Sequence, residues 1–144
     1  MTYWPVNSPE ELQELKEFLK SCDLPYNDLK LDGNLFILYR NNLGGLVGSG
    51  GLEFHGDYCL LRSVAVAPEF RQLGHGETIA IDLITRARDQ GVRGIYLLTE
   101  TAEKFFSKLG FENLPRESAP KEITASSEFS SVCPVSALLM SISG

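Results

Sequence analysis

The sequence is short of cysteine, of long apolar runs and of positive charge, and each shortage removes a class of protein. Its three cysteines, Cys22, Cys59 and Cys133, lie far apart and form no C-x-x-C pair. Neither a zinc site nor a disulfide framework is suggested, and a reducing compartment is the simplest setting. No stretch approaches the roughly 18 apolar residues of a membrane span. The N-terminus, MTYWPVNSPEEL, lacks the basic-then-apolar order of a secretory signal. These absences predict a cytoplasmic protein with no membrane partner. Thirteen Lys and Arg against nineteen Asp and Glu leave a net charge of −6. Nucleic-acid binding draws on a surplus of Lys and Arg, so nucleic acid is not an expected partner. A small anionic ligand remains compatible, because helix-terminal amides and a few local cations can outweigh the average field.

What is present fits one compact domain spanning residues 1–144, since the length matches a single domain and no repeat, low-complexity tract or linker interrupts it. Ser8-Pro9-Glu10-Glu11 supplies an N-cap, a proline in the first turn and a capping-box glutamate. Leu12, Leu15, Phe18 and Leu19 recur at helical spacing, which predicts a helix ending near Ser21 that packs on a sheet. Leu35–Arg40, Leu46–Phe54 and Tyr58–Val66 are apolar runs separated by the turn signals Asn41-Asn42 and His55-Gly56-Asp57, and they read as consecutive antiparallel strands. From Gly76 to Gln90, Ile79, Leu83, Ile84 and Ala87 mark one helical face, with Gly91 as the C-terminal stop. Ile95–Thr99 is a buried strand, and the strand–helix–strand order predicts a right-handed crossover that sets it parallel to Tyr58–Val66. Ala102–Leu109 predicts a short helix closed by Gly110. Beyond it a strand over Phe111–Leu114, a short helix over Lys121–Phe129 and a last strand over Ala137–Met140 are expected.

The chemistry concentrates in Val64-Ala65-Val66-Ala67-Pro68-Glu69-Phe70-Arg71-Gln72-Leu73-Gly74-His75-Gly76, a buried strand, a proline-broken turn and glycines opening a helix. Free amides at a helix start, approached closely where Gly74 and Gly76 lack side chains, can cradle a diphosphate, and Arg71 can add charge. This segment resembles the acetyl-CoA signature of the GNAT superfamily, R/Q-x-x-G-x-G/A, with Arg71, Gly74 and Gly76 at its fixed positions. A second block, Thr99 to Phe111, resembles the family's later strand-to-helix passage ending in Gly-Phe. The resemblance implies an α+β (mixed α/β) fold: a central, mostly antiparallel twisted sheet with one parallel, splayed strand pair, flanked by helices. It also implies acetyl-CoA as acyl donor, a small-molecule amine as acceptor, and no metal. A bulge is expected near Val64, where Tyr58–Val66 parts from Ile95–Thr99. Val64, Ala65 and Val66 would then pair with the pantetheine arm as an added strand pairs with an edge. Gln72, Leu73 and His75 complete the phosphate loop, and Thr99, Phe105 and Phe106 line the other side, where core packing is the alternative for at least one phenylalanine.

Two features depart from the family's pattern. Many relatives place a tyrosine on the later helix, where it protonates the departing thiolate, and this chain has Phe106. Many carry an acidic pair before the A-V of the bulged strand, and this chain has Arg62-Ser63. The attacking amine must still lose a proton. Glu53, with His55 behind it, is the candidate base, the alternatives being a surface carboxylate or an ion-pair partner of Arg62. Arg62, with Ser63, is the candidate acceptor site, because a guanidinium can hold a substrate carboxylate through two parallel hydrogen bonds. L-R-S-x-A-V-x-P, T-A-E-x-F-F-x-x-L-G-F and the terminal Glu128-Phe129, Cys133-Pro134, Ser136-Ala137 and Met140 resemble a narrower group of amino-acid N-acetyltransferases. That group includes arsenic-resistance-associated and short N-acetylglutamate-synthase-like enzymes. The expectation is direct acetyl transfer to the amine of a small, amino-acid-like acceptor, with a homodimer compatible. A non-catalytic acyl-CoA-binding module is the rival. Cys59 lies on the key strand, but no neighbouring base is evident to make it a nucleophile.

Overall fold

A computed structural model of the chain describes every residue except Cys133 and Val135, and every side chain among the rest except those of Ser131 and Val132. Seven strands form one sheet in the order β1-β2-β3-β4-β5-β7-β6. They are β1 (Thr2–Pro5), β2 (Asn34–Arg40), β3 (Leu46–His55), β4 (Tyr58–Val66), β5 (Gly94–Thr99), β6 (Glu112–Leu114) and β7 (Leu138–Ser143). All neighbours are antiparallel except β4 and β5, the parallel pair joined through α2 (His75–Asp89).

Helices cover both faces. In α1 (Pro9–Ser21) the Ser8 side chain accepts from the Glu11 amide, and Glu11 reaches back to the Asn7 amide, fixing the first turn. Leu15, Phe18 and Leu19 of α1 pack against Phe36 and Leu38 of β2, whereas Ile37 and Tyr39 face Ile79, Leu83 and Ile84 of α2. A strand covered on both sides is apolar at every position, which is why 36–39 reads as an unbroken run. The fit of α2 is close: a side-chain carbon at Gly50 would collide with Leu83. Two further helices, α3 (Glu103–Lys108) and α4 (Lys121–Thr124), follow β5 and β6.

The expected elements from α1 through α3 are present, each end within one residue of the predicted one. Three departures have physical causes. Strand β1 carried no signal, because it is a four-residue edge strand, exposed throughout and ending in Pro5, a residue an edge tolerates. Lys121–Phe129 is not one helix: α4 stops at Thr124, and Glu128–Val132 forms a separate wide π-type turn. Strand β7 runs to Ser143, held by β5 on one side and β6 on the other. Among the described residues no helix is long and apolar enough to cross a membrane.

Candidate active site

The central distortion lies between β3 and β4. Ser49 pairs with Ala65 and Gly51 with Arg62, so Ser63 and Val64 together oppose Gly50. This is a β-bulge, the feature expected near Val64. Ser63 takes φ of 61°, and the Ser49 hydroxyl donates to its carbonyl at 2.7 Å, pinning the bulge from the neighbouring strand. Strand β4 pairs with β5 only over Tyr58–Leu60, after which the two part while β5 continues to Thr99 against β7.

The opening holds a cavity of about 480 Å³. Ser63 and Val64 line one wall, Leu97, Thr99 and Phe106 the other, and Cys22–Pro25 and Glu128 close it. A larger hollow, about 640 Å³, lies at the far end of α2 beside the β3–β4 turn. It is remote from the bulge, which lines the smaller cavity.

Beside the opening, α2 begins. Gly74 adopts φ of 84°, a region that favours glycine, and nothing lies within 4 Å of where its side chain would start. No side chain among the described residues caps the helix, leaving its first amides without a capping partner. Gly76 faces Phe105 and Val66, which brings this terminus to the mouth of the splay. Gln72, at φ of 66°, and Leu73 are exposed, and His75 packs edge-on to Phe70. Arg71 donates from Nε to the Val66 carbonyl at 2.9 Å. Since the Ala67 amide bonds to β3, alternation turns the polar groups of Val66 toward the open side, and the Arg71 contact occupies one of them. Thr99 accepts from the Ala102 amide to start α3, and the Phe106 ring stacks edge-on with both Phe105 and Phe111. Phe106 therefore lines the cavity and packs the core at once.

Arg62 does not present a fork to the cavity. Its side chain is 0% exposed, and its terminal nitrogens grip both oxygens of Asp28 at 2.6 and 2.8 Å. Nη1 also donates to Glu53 at 2.8 Å, and Nε lies 3.1 Å from Glu128. The expected bidentate partner is thus a carboxylate of the chain itself, because a buried guanidinium requires its countercharge within the fold. Burial works against the charged form of Arg62, but the Asp28 hydrogen bonds and the three carboxylates more than offset it. Ser63 sits against this group, accepting from Nε at 3.3 Å.

Glu53 is buried, with one oxygen on Arg62 and the other 3.0 Å from His55 Nε2. It is not among the residues lining the cavity. Burial pushes its carboxyl up, but the His55 hydrogen bond and the Arg62 charge prevail and hold it below the ordinary range. Glu128 does line the cavity, and burial pushes its carboxyl up to about 7. In the sequence Glu128 stands only as part of the terminal motif expected to shape the acceptor pocket, with no role in proton transfer. The usable signal was Arg62 itself, a cation in the middle of an apolar strand that must recruit carboxylates from elsewhere. Of the terminal residues named above, Cys133 lies outside the described residues. Cys59 is fully buried, with its thiol pushed up to about 12 by burial and then by Glu53, which leaves no thiolate.

A profile described as an acetyltransferase (GNAT) domain matches residues 32–113, from the approach to β2 through the bulge, the glycine loop and α3 into β6. The chain belongs to the GNAT acetyltransferase family. It is built on the mixed α/β fold expected. A curated relative, an amino-acid acetyltransferase of Pseudomonas fluorescens, is 37% identical over 60 residues, 42% of this chain but 14% of that protein. Two solved structures share the fold. N-acetylglutamate synthase from Neisseria gonorrhoeae, complexed with coenzyme A and N-acetyl-glutamate, superposes with a TM-score of 0.77 at 16% identity, over 99% of this chain and 34% of that one. Rv2747 from Mycobacterium tuberculosis, in complex with CoA, superposes at 0.79 and 20% identity, over 100% and 99%. The chain thus spans only a fraction of the curated relative and of the synthase. Within the GNAT frame, Arg62 and Glu53 belong to the matched segment, whereas Asp28 and Glu128 come from outside it.

Proposed function

We propose that this GNAT domain, acting as one unit over residues 1–144, transfers the acetyl group of acetyl-CoA directly to the primary amine of a small acceptor. The observation that carries the reading is the adjacency of the α2 start to the splayed strands and their cavity. The uncapped start of α2 stands at the mouth of the splay, and the splay leads past the Val64 bulge to buried Glu128. The chain's residues fit the donor: the uncapped first amides of α2 beside Gly74 suit a diphosphate, and the Val66 amide, with the bulge at Val64, suits an extended arm. Acetyl-CoA supplies there a thioester carbonyl open to attack. Amides of the bulge that lines the cavity polarise that carbonyl, and the walls hold donor and amine together, so no acyl-enzyme is required.

An amino-acid-like acceptor is supported by kinship with the Pseudomonas amino-acid acetyltransferase. Arg62 does not support it, since Asp28 already takes both terminal nitrogens. A cytoplasmic setting remains the reading from the dispersed cysteines. The test is release of free CoA thiol from acetyl-CoA with a panel of amino acids and their decarboxylated amines, with the N-acetyl product identified by mass. Thiol release matched by product supports the proposal. Binding of acetyl-CoA without release for any amine overturns it.

A further inference from the structure

Asp28 and Glu128 reach Arg62 from opposite ends of the chain, one before the matched GNAT segment and one after it. Asp28 is committed: both of its oxygens hold the guanidinium, and the Ser127 hydroxyl donates to it at 2.7 Å. Glu53 is committed in the same way, between Arg62 and His55. Of the three carboxylates, Glu128 is the one that lines the cavity, and only 5% of its side chain is exposed. Besides Arg62 and Glu128, the charged residues lining that cavity among the described residues are Asp23 and Glu100. One guanidinium serves three carboxylates, so the inner end of the slot carries surplus negative charge that attracts an ammonium.

We infer that Glu128 is the group that takes the proton of the acceptor amine, and that Arg62, anchored by Asp28 and Glu53, is the positioning residue that holds it. This rests on the acetyl-transfer reading above. The acceptor enters as an ammonium opposite Glu128, and one proton passes from nitrogen to the carboxylate. The lone pair so freed forms the N–C bond at the acetyl carbonyl, the C–S bond breaks, and its electron pair leaves on sulfur. The second nitrogen proton neutralises that thiolate. The products are an acetamide and CoA thiol, and Glu128 returns its proton to water.

The charge environment suits this task. The groups facing Glu128 are Arg62 from β4, Glu53 from β3 and Asp28 from the segment between α1 and β2; Cys22, Asp23 and Glu100 share the cavity. Burial raises the carboxyl, Arg62 pulls it down, Glu53 and Asp28 push it up, and it settles at about 7. A base poised there is half ionised at neutral pH yet strong enough to accept a proton. Glu53, held low and turned into the ion cluster, is neither.

The experiment is the pH profile of acetyl transfer from acetyl-CoA to a primary amine that the wild type acetylates. In the wild type, kcat/KM falls about tenfold per pH unit below about 7. Glu128→Gln lowers kcat about 100-fold or more and removes the acid limb, while Glu128→Asp retains the limb at reduced rate. Glu53→Gln moves the limb to lower pH, because removing that negative charge lets Glu128 ionise sooner. An acid limb that persists in Glu128→Gln, or one that vanishes in Glu53→Gln, overturns the inference and gives the role to Glu53. The rise in melting temperature on adding acetyl-CoA is unchanged in Glu128→Gln; its loss would put Glu128 in donor binding and overturn the inference too. If the wild type acetylates no amine, the acetyl-transfer reading fails. Glu128 is then read directly by carbon NMR of labelled glutamate carboxyls. A resonance missing from Glu128→Gln and titrating near neutrality supports a poised carboxyl, and one that stays fixed from about pH 5 to 9 overturns it.

Discussion

Arg62 Nε and Glu128 Oε2 lie 3.1 Å apart at the inner end of the splayed strands, and both side chains are almost wholly buried. The contact is one of three carboxylates on a single guanidinium, so the cluster has more negative than positive charge to accommodate. Glu128, the most buried of the three, absorbs the imbalance by holding its proton to about 7, whereas Asp28 and Glu53 are held below their ordinary values. Stability and chemistry are therefore coupled through the same three side chains.

That coupling has opposite signs at its two ends. Asp28 and Glu53 bind protons less readily folded than unfolded, so the stability they contribute is present above the ordinary carboxylate range and lost as pH falls through their folded values. Glu128 binds its proton more readily folded, so its contribution is full below about 4.5 and is lost as pH rises toward 7. Replacing Glu128 by Gln removes only the second effect. The melting temperature of Glu128→Gln relative to wild type should climb between about pH 4.5 and 7 and stay level on either side. The full swing is on the order of 3 kcal/mol. A difference that is flat across that window would show Glu128 to be an ordinary ionised partner of Arg62.

Arg62 is expected to matter for folding more than for acceptor choice. Arg62→Met leaves Asp28, Glu53 and Glu128 without countercharge and should cost about 3–5 kcal/mol. Arg62→Lys keeps the charge but loses the two-point grip on Asp28, so its cost should be smaller. In Arg62→Lys, kcat/KM should fall for an amino acid and for its decarboxylated amine alike, leaving their ratio unchanged. A ratio that drops selectively against the amino acid would return Arg62 to the acceptor site.

The part of the site legible in the sequence is the part built from contiguous signals. Gly74 and Gly76 after a strand and a proline turn announce a helix start with open amides, and the strand–helix–strand spacing announces the parallel pair that splays. The Arg62 cluster is assembled differently: Asp28 lies in a segment without periodicity and Glu128 in an isolated turn, and only folding around a buried cation brings them together. Glu53 lay in a legible strand, yet its role could not be read there. Alternation places a residue on a face of the sheet, but not which of two ion partners turns toward the ligand. Strand β1 escaped for a third reason, since an exposed edge strand leaves no apolar pattern.

Acetyl-CoA should raise the melting temperature of the wild type. At about 100 times Kd the added stability is about 2.7 kcal/mol for a ligand that binds only the folded state. Gly74→Val should abolish most of this response in calorimetry or thermal shift, because a branched side chain at φ of 84° both strains the loop and fills the space before the α2 amides. The protein without ligand should remain folded, with a loss of about 1–2 kcal/mol from the left-handed backbone. An acetyl-CoA response in Gly74→Val equal to that of the wild type would move the phosphate site away from α2.

Cys59 offers the sharpest test of direct transfer, since it is the one cysteine on β4, the strand beside the proposed acetyl-transfer site. Its thiol is wholly buried among Leu52, Leu61 and Ile95, and burial followed by the Glu53 charge pushes it up to about 12. Thioester exchange needs a thiolate, and at neutral pH such a group supplies almost none. Cys59→Ala should therefore leave acetyl transfer intact, at a cost of about 1 kcal/mol for the small void left behind. Intact-mass measurement of the wild type after mixing with acetyl-CoA should find no covalently acetylated enzyme that disappears on adding amine. A transient mass gain of one acetyl group, absent from Cys59→Ala together with the activity, would replace direct transfer by a two-step route through this sulfur.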